Sequence, residues 1–168
     1  MTDQASTKLH NLSDKWTLWA HLPHDTDWSA ASYIKIHKLT SVEESICLKE
    51  ALNEEVVLNC MLFLMLGDVL PMWEDKNNCS GGCFSYKISN KHVFETWWEL
   101  VFCLLGRTIT THDDFRKSIM GITISPKKNF CIVKIWLNTC AYRSPNKITT
   151  LPYLDTHGCL FKKHNPEY

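Results

Sequence analysis

The eight residues Phe130–Leu137 (F-C-I-V-K-I-W-L) constrain this chain more than any other stretch, because they divide by parity into two unlike faces. Successive side chains of a strand point to opposite sides of a sheet, so Cys131, Val133, Ile135 and Leu137 share one face and Phe130, Ile132, Lys134 and Trp136 the other. The first set suits a core covered by helices. The second puts a lysine two residues from a tryptophan, beside the turn Lys127-Lys128-Asn129, an odd composition for a core and a suitable one for a face that holds a ligand. The stretch before it, residues 119–125, alternates isoleucine with polar residues and is ended by Pro126, so the two segments are expected to pair as strands.

The rest of the chain fits around that pair. Residues 15–22 and 33–39 read as strands. Ser41-Val42-Glu43-Glu44 is a capping box that starts a helix to about Leu52, with Val42 and Ile46 on one stripe and Leu48 and Leu52 on another. Residues 55–66 are almost continuously apolar, the pattern of one strand covered on both faces. Residues 83–88 return as a strand. Phe94, Trp97, Trp98, Val101 and Leu105 then recur at helical spacing, and Gly106 closes that helix. Its apolar surface, widened by Val93 and Phe102, exceeds what a sheet needs, which means deeper burial or a partner surface. Residues 138–150 have little periodicity, and residues 151–161 supply a last strand before the basic run Lys162-Lys163-His164. The expected organisation is a flexible tail at 1–11, one domain at 12–164 and a short tail at 165–168.

Between the strands ending near Leu70 and beginning near Cys83 lies a loop, P-M-W-E-D-K-N-N-C-S-G-G. Pro71 cannot donate to a ladder, and Asn, Ser and Gly are turn formers. Trp73 is therefore a loop tryptophan followed by two carboxylates, Glu74 and Asp75. Two readings stand side by side: the ring stacks on a planar cationic or electron-poor ligand whose edge donates to a carboxylate, or it covers the core while the acids are solvated. Turn chemistry at residues 23–27 delivers a second loop tryptophan, Trp28.

Seven tryptophans are many for 168 residues. Eight scattered cysteines, with neither a leader-like nor a membrane-length apolar run, read as reduced thiols in a cytoplasmic protein. Cys79-x3-Cys83 with His92 begins a zinc site but lacks a second ligand pair, so no metal and no cofactor are expected. Net charge is zero, yet residues 1–114 carry 9 basic and 16 acidic side chains and residues 115–168 carry 9 and 2. The C-terminal part can thus receive a few phosphates.

The run W-T-L-W (Trp16 to Trp19), the loop Trp28, S-V-E-E, P-M-W-E-D followed by G-G, C-L-L-G at the helix end, and I-V-K-I-W at Trp136 together resemble the eukaryotic translation initiation factor 4E family, which binds the messenger RNA cap. The resemblance covers residues 10–137. It implies an α+β fold, a single strongly curved antiparallel sheet with helices on its convex face and the 7-methylguanosine cap in its concave face. By the same resemblance Trp28 and Trp73 sandwich the methylated base, Glu74 accepts its N1 and N2 protons, and Trp136 touches the added methyl. Cation–π contact with the methylated base contributes about 2 kcal/mol, and stacking about 1–3 kcal/mol per ring.

Two departures from the family pattern matter. Cys83 and Ile132 stand where the family places a phosphate-binding Arg and Lys, which leaves Lys127, Lys128, Lys134, Lys162 and Lys163 as candidates for the phosphates. Ile46 replaces the helix tryptophan that receives a helical peptide of the scaffold factor or its regulators, so the dorsal groove is expected from Val42, Ile46, Trp98, Phe102 and Leu105. The implied function is recruitment of capped mRNA for translation initiation by a monomer, without catalysis and without a membrane. The alternative is a cap-fold decoy or repressor that sequesters caps or scaffold peptides.

Overall fold

The structure, a computed structural model, describes residues 8–168; the portion of the expected N-terminal tail at residues 1–7 lies outside the described residues. In chain order the elements are β1 (Asn11–His21), β2 (Ile34–Ser41), α1 (Val42–Ala51), α2 (Glu54–Asn59), β3 (Met61–Leu66), β4 (Gly82–Ser89), α3 (Asn90–Leu105), α4 (Asp113–Ser118), β5 (Ile119–Pro126), β6 (Phe130–Leu137) and β7 (Leu160–Lys163). The strands form one sheet in the order β2-β1-β3-β5-β6-β4-β7, every neighbouring pair antiparallel. Register irregularities between Leu18 and Trp19 on β1 and between Ile119 and Gly121 on β5 add twist and bend the sheet.

The sheet separates two apolar clusters. On one face Cys131, Val133, Ile135 and Leu137 join Trp16, Leu18 and Phe84 under α3, whose Trp97, Leu100, Val101 and Leu104 are buried there. On the other face a smaller cluster of Phe63, Met65, Val69, Cys83, Met120 and Trp136 is flanked by Trp19, Tyr33 and Trp73. The parity of β6 is therefore observed as expected: its core face is fully buried, while Lys134 stays half-buried and Trp136 turns away from the helices.

Local chemistry accounts for the helix ends. Ser41 Oγ accepts the Glu44 backbone N–H, and Glu44 Oε2 accepts the Ser41 N–H at 3.0 Å, completing the capping box of α1. α3 ends at Gly106, although the left-handed conformation falls on Arg107 (φ 59°) rather than on the glycine. The Gly81-Gly82 pair is required by close approach: a Cβ on Gly81 would collide with the Leu137 carbonyl, and one on Gly82 with Phe161 and the Lys162 carbonyl.

Four expectations need correction. The run 55–66 is not one strand, because Asn53 Oδ1 accepts the Val56 N–H at 3.0 Å and, with Glu54 and Glu55 in the first turn, starts α2 before β3 begins at Met61. α4 was not anticipated; its acidic start, its basic end and the fully buried Phe115 form a single short turn of helix against the sheet. β1 starts at Asn11, inside the expected tail. The last strand is only Leu160–Lys163, since Pro152, the left-handed Tyr153 (φ 65°) and a 3₁₀ turn at Thr156–Gly158 interrupt the residues before it.

Candidate functional site

Two loops bring tryptophans to the concave face. In the β1–β2 loop the Asp27 carboxylate accepts the Ser29 N–H at 2.8 Å and the Ser29 hydroxyl at 2.9 Å, which holds Asp27 below the usual carboxylate range. Trp28 remains 52% exposed and lies flat on His21, with ring centroids 4.0 Å apart and planes within 5°. His21, the last residue of β1, is itself buried, with Nε2 2.7 Å from the Asp27 carbonyl.

The β3–β4 loop is fastened differently. Asp75 accepts the N–H groups of Leu70 and Asn77 at 2.9 and 2.8 Å, and the fully buried Asn78 donates to the carbonyls of Leu70 and Met72 at 2.9 and 2.7 Å. Asp75 is thereby a loop-building residue, while Glu74 faces the cavity. Behind this loop His164 Nδ1 donates to the Asn78 carbonyl at 2.7 Å, and its ring sits 5.8 Å from Trp73 and 4.8 Å from Trp136. Burial pushes the His164 imidazole below its ordinary range; the Asn78 carbonyl opposes that and nearby Lys134 reinforces it.

Between the loops lies a cavity of about 620 Å³, a size typical of small-ligand sites. Trp28, Trp73, Glu74, Lys134 and Trp136 all line it, as do Tyr33 and Phe63. Trp136 is 5% exposed, and its Nε1 donates to Thr123 Oγ1 at 3.2 Å, fixing the ring plane. The Tyr33 phenol is pushed up to about 12, first by burial and then by the charge of Glu74, so it stays a hydroxyl donor at neutral pH. The acidic N-terminal part thus contributes Glu74 and the basic C-terminal part contributes Lys134 to one cavity.

The other lysines are distributed around it. Lys127 and Lys128 line a neighbouring hollow of about 460 Å³ that shares Trp28 and Met61 with the first. Lys162 and Lys163 lie on β7, where Lys162 is in register with Cys83. Cys83 is buried, and burial raises its thiol against the opposing charges of Lys134 and Lys162. Among the described residues no group of three His, Cys, Asp or Glu side chains is placed to hold a metal ion, and His92 instead stacks on Tyr153.

On the helical face Val42, Ile46 and Phe102 are exposed, whereas Trp98 and Leu105 are buried and offer little surface. Trp98 and Phe102 line a shallow groove of about 350 Å³ with Phe94, Lys49, Glu95 and Glu99. No helix among the described residues is long and apolar enough to cross a membrane.

A family model, eukaryotic initiation factor 4E, matches residues 11–156. The chain belongs to that family. It is similar to the eukaryotic translation initiation factor 4E of Eremothecium gossypii, 26% identical over 155 residues that cover 88% of this chain and 72% of the relative. A shorter match, 36% identity over 62 residues, covers 37% of this chain and 23% of the initiation factor 4E homolog of Acanthamoeba polyphaga mimivirus. This family member spans 58–72% of the length of three of its fungal relatives. Its fold is similar to that of C. elegans eIF4E-3 in complex with the 4E-binding protein Mextli and a cap analog, with TM-score 0.71, 21% identity, and coverage of 79% of this chain and 76% of that one.

Tyr33, Phe63, His21 and His164 were not anticipated as parts of the site, nor was the Glu167 backbone beside Glu74. Phe63 lies within the apolar run, where β-strand parity would have set it opposite Leu62 and Leu64 had the strand start been known. His164 carried no local signal, because its place depends on β7 pairing with β4.

Proposed function

We propose that this family member binds the 7-methylguanosine cap of mRNA in the concave cavity and acts in the recruitment of mRNA for translation initiation. Trp28 and Trp73 stack on the two faces of the base, Glu74 accepts its N1 and N2 protons, and Trp136 meets the N7 methyl. What carries the reading is the meeting of these four side chains, from three separate segments, in one cavity with Lys134. Methylation at N7 makes the base cationic, and a cation between aromatic faces beside a carboxylate is favoured over its neutral counterpart. Lys134, with Lys127 and Lys128 in the adjoining hollow, takes the phosphates as point charges, and Lys162 and Lys163 on β7 extend the basic rim. The helical face around Val42, Ile46 and Phe102 receives a scaffold or regulator peptide, in keeping with the 4E-binding protein present in the C. elegans complex.

The test is quenching of tryptophan fluorescence by 7-methylguanosine triphosphate against guanosine triphosphate, with Glu74→Ala alongside. Selective quenching that falls at least tenfold in the variant is expected, since a carboxylate accepting two N–H groups contributes about 2–3 kcal/mol. Equal quenching by both nucleotides would sink the assignment.

A further inference from the structure

The segment that follows β7 runs along the cavity wall as a strap. Its anchor is His164, whose backbone N–H donates to the Gly81 carbonyl at 3.0 Å and whose ring is wedged between Trp73 and Trp136. Beyond that anchor Asn165 and Glu167 line the cavity, and the backbone N–H of Glu167 donates to Glu74 Oε1 at 3.0 Å. The carboxylate assigned to ligand recognition is therefore already engaged by an N–H of the same chain.

A peptide N–H is the same kind of donor as the N1–H and N2–H edge of guanine. A carboxylate oxygen that already accepts one charge-assisted hydrogen bond gains less from a second than a free oxygen does. Because His164 holds the strap three residues away, Glu167 is presented to Glu74 at high effective concentration. Residues 165, 167 and 168 are exposed, so the strap opens without exposing core.

Resting on the cap-site reading above, we propose that residues 165–168 are a displaceable intramolecular competitor for Glu74: the Glu167 amide occupies the carboxylate, and the ligand edge binds fully only when the strap is released. Apparent affinity is then lowered by the fraction of molecules in which the strap is open. The Glu167 side chain is not the competing group; its backbone N–H is.

Two substitutions separate those groups. Glu167→Pro removes the N–H, and Glu167→Ala keeps it while removing the side-chain charge. Titrating wild type and both variants with 7-methylguanosine triphosphate and with guanosine triphosphate, we expect Glu167→Pro to bind the methylated nucleotide about fivefold more tightly than wild type and Glu167→Ala to stay within about twofold. The strap is overturned if Glu167→Pro binds no more tightly than wild type, or if Glu167→Ala gains as much as Glu167→Pro, since charge would then be the cause. Selective wild-type binding that Glu167→Pro merely equals removes the strap and leaves the cap site. Selectivity that emerges only in Glu167→Pro supports both, and no selectivity in any form removes both.

Discussion

The two tryptophan loops face each other across one cavity and are held by different physics. The β3–β4 loop is clamped from within: Asn78 is fully buried, spends its side-chain amide on two carbonyls, and gives its own carbonyl to His164. The β1–β2 loop is held mainly by surface turns at Asp25 and Asp27, with one buried tie where His21 Nε2 meets the Asp27 carbonyl, and its Trp28 rests on that same His21 ring. Trp73 is thus presented at a set position, whereas Trp28 keeps half its surface in water. On the proposed reading, one wall of the site is set by the buried clamp of its loop and the other stands largely in solvent.

Removing the buried clamp should break that contrast most strongly. Asn78→Ala leaves the carbonyls of Leu70 and Met72 without their donor in a buried place, which costs about 2–3 kcal/mol and appears as a lower urea midpoint with unchanged slope. Asp27→Ala should leave the midpoint where it is, because its bonds lie on the surface. Equal losses from the two would mean that the loops are alike in rigidity.

A smaller effect separates the two rings. Trp73→Ala deletes a stacking surface that is already in place, and should weaken 7-methylguanosine triphosphate about thirtyfold, or ~2 kcal/mol. Trp28→Ala should cost about fivefold, because the ordering that Trp28 must undergo on binding offsets part of what its stacking returns. Titration of both variants measures the gap directly. A larger loss from Trp28→Ala would reverse the assignment of the rigid wall.

The same contrast governs what could be read in advance. The loop position of Trp73 and Glu74 was legible because P-M-W-E-D sits between a proline that stops a strand and a Gly-Gly pair that starts one, while their place in a ligand site came from the family resemblance. β5 and β6 were legible because alternation over eight residues fits one structure only. α2 was not, since Val56-Val57-Leu58 reads alike as buried strand or helix until the Asn53 cap is weighed. The roles of His164 and Glu167 were beyond local reading: Glu167 meets Glu74 across 93 residues of chain, and only the pairing of β7 with β4 brings them together. In the β1–β2 loop, His21 looked like one more member of an alternating strand, and its use as a platform for Trp28 follows from burial that the sheet imposes.

The smallest predicted effect concerns acid and touches only the clamped loop. His164 is neutral in the fold, donating through Nδ1 to the Asn78 carbonyl, with Nε2 buried and unpartnered and the Lys134 ammonium nearby. Its folded value lies below the ordinary 6.5, so between the two values the unfolded chain binds more protons than the folded one. Stability from this group is therefore fully present above about pH 6.5 and is lost as pH falls through the folded value. His164→Asn removes the titration while keeping a donor at the Nδ1 position for the Asn78 carbonyl. Between pH 7 and pH 5.5 the thermal midpoint of wild type should fall further than that of the variant. Parallel midpoints would show that the imidazole takes up its proton without disturbing the Trp73 loop, and that the clamp depends on Asn78 and Asp75 alone.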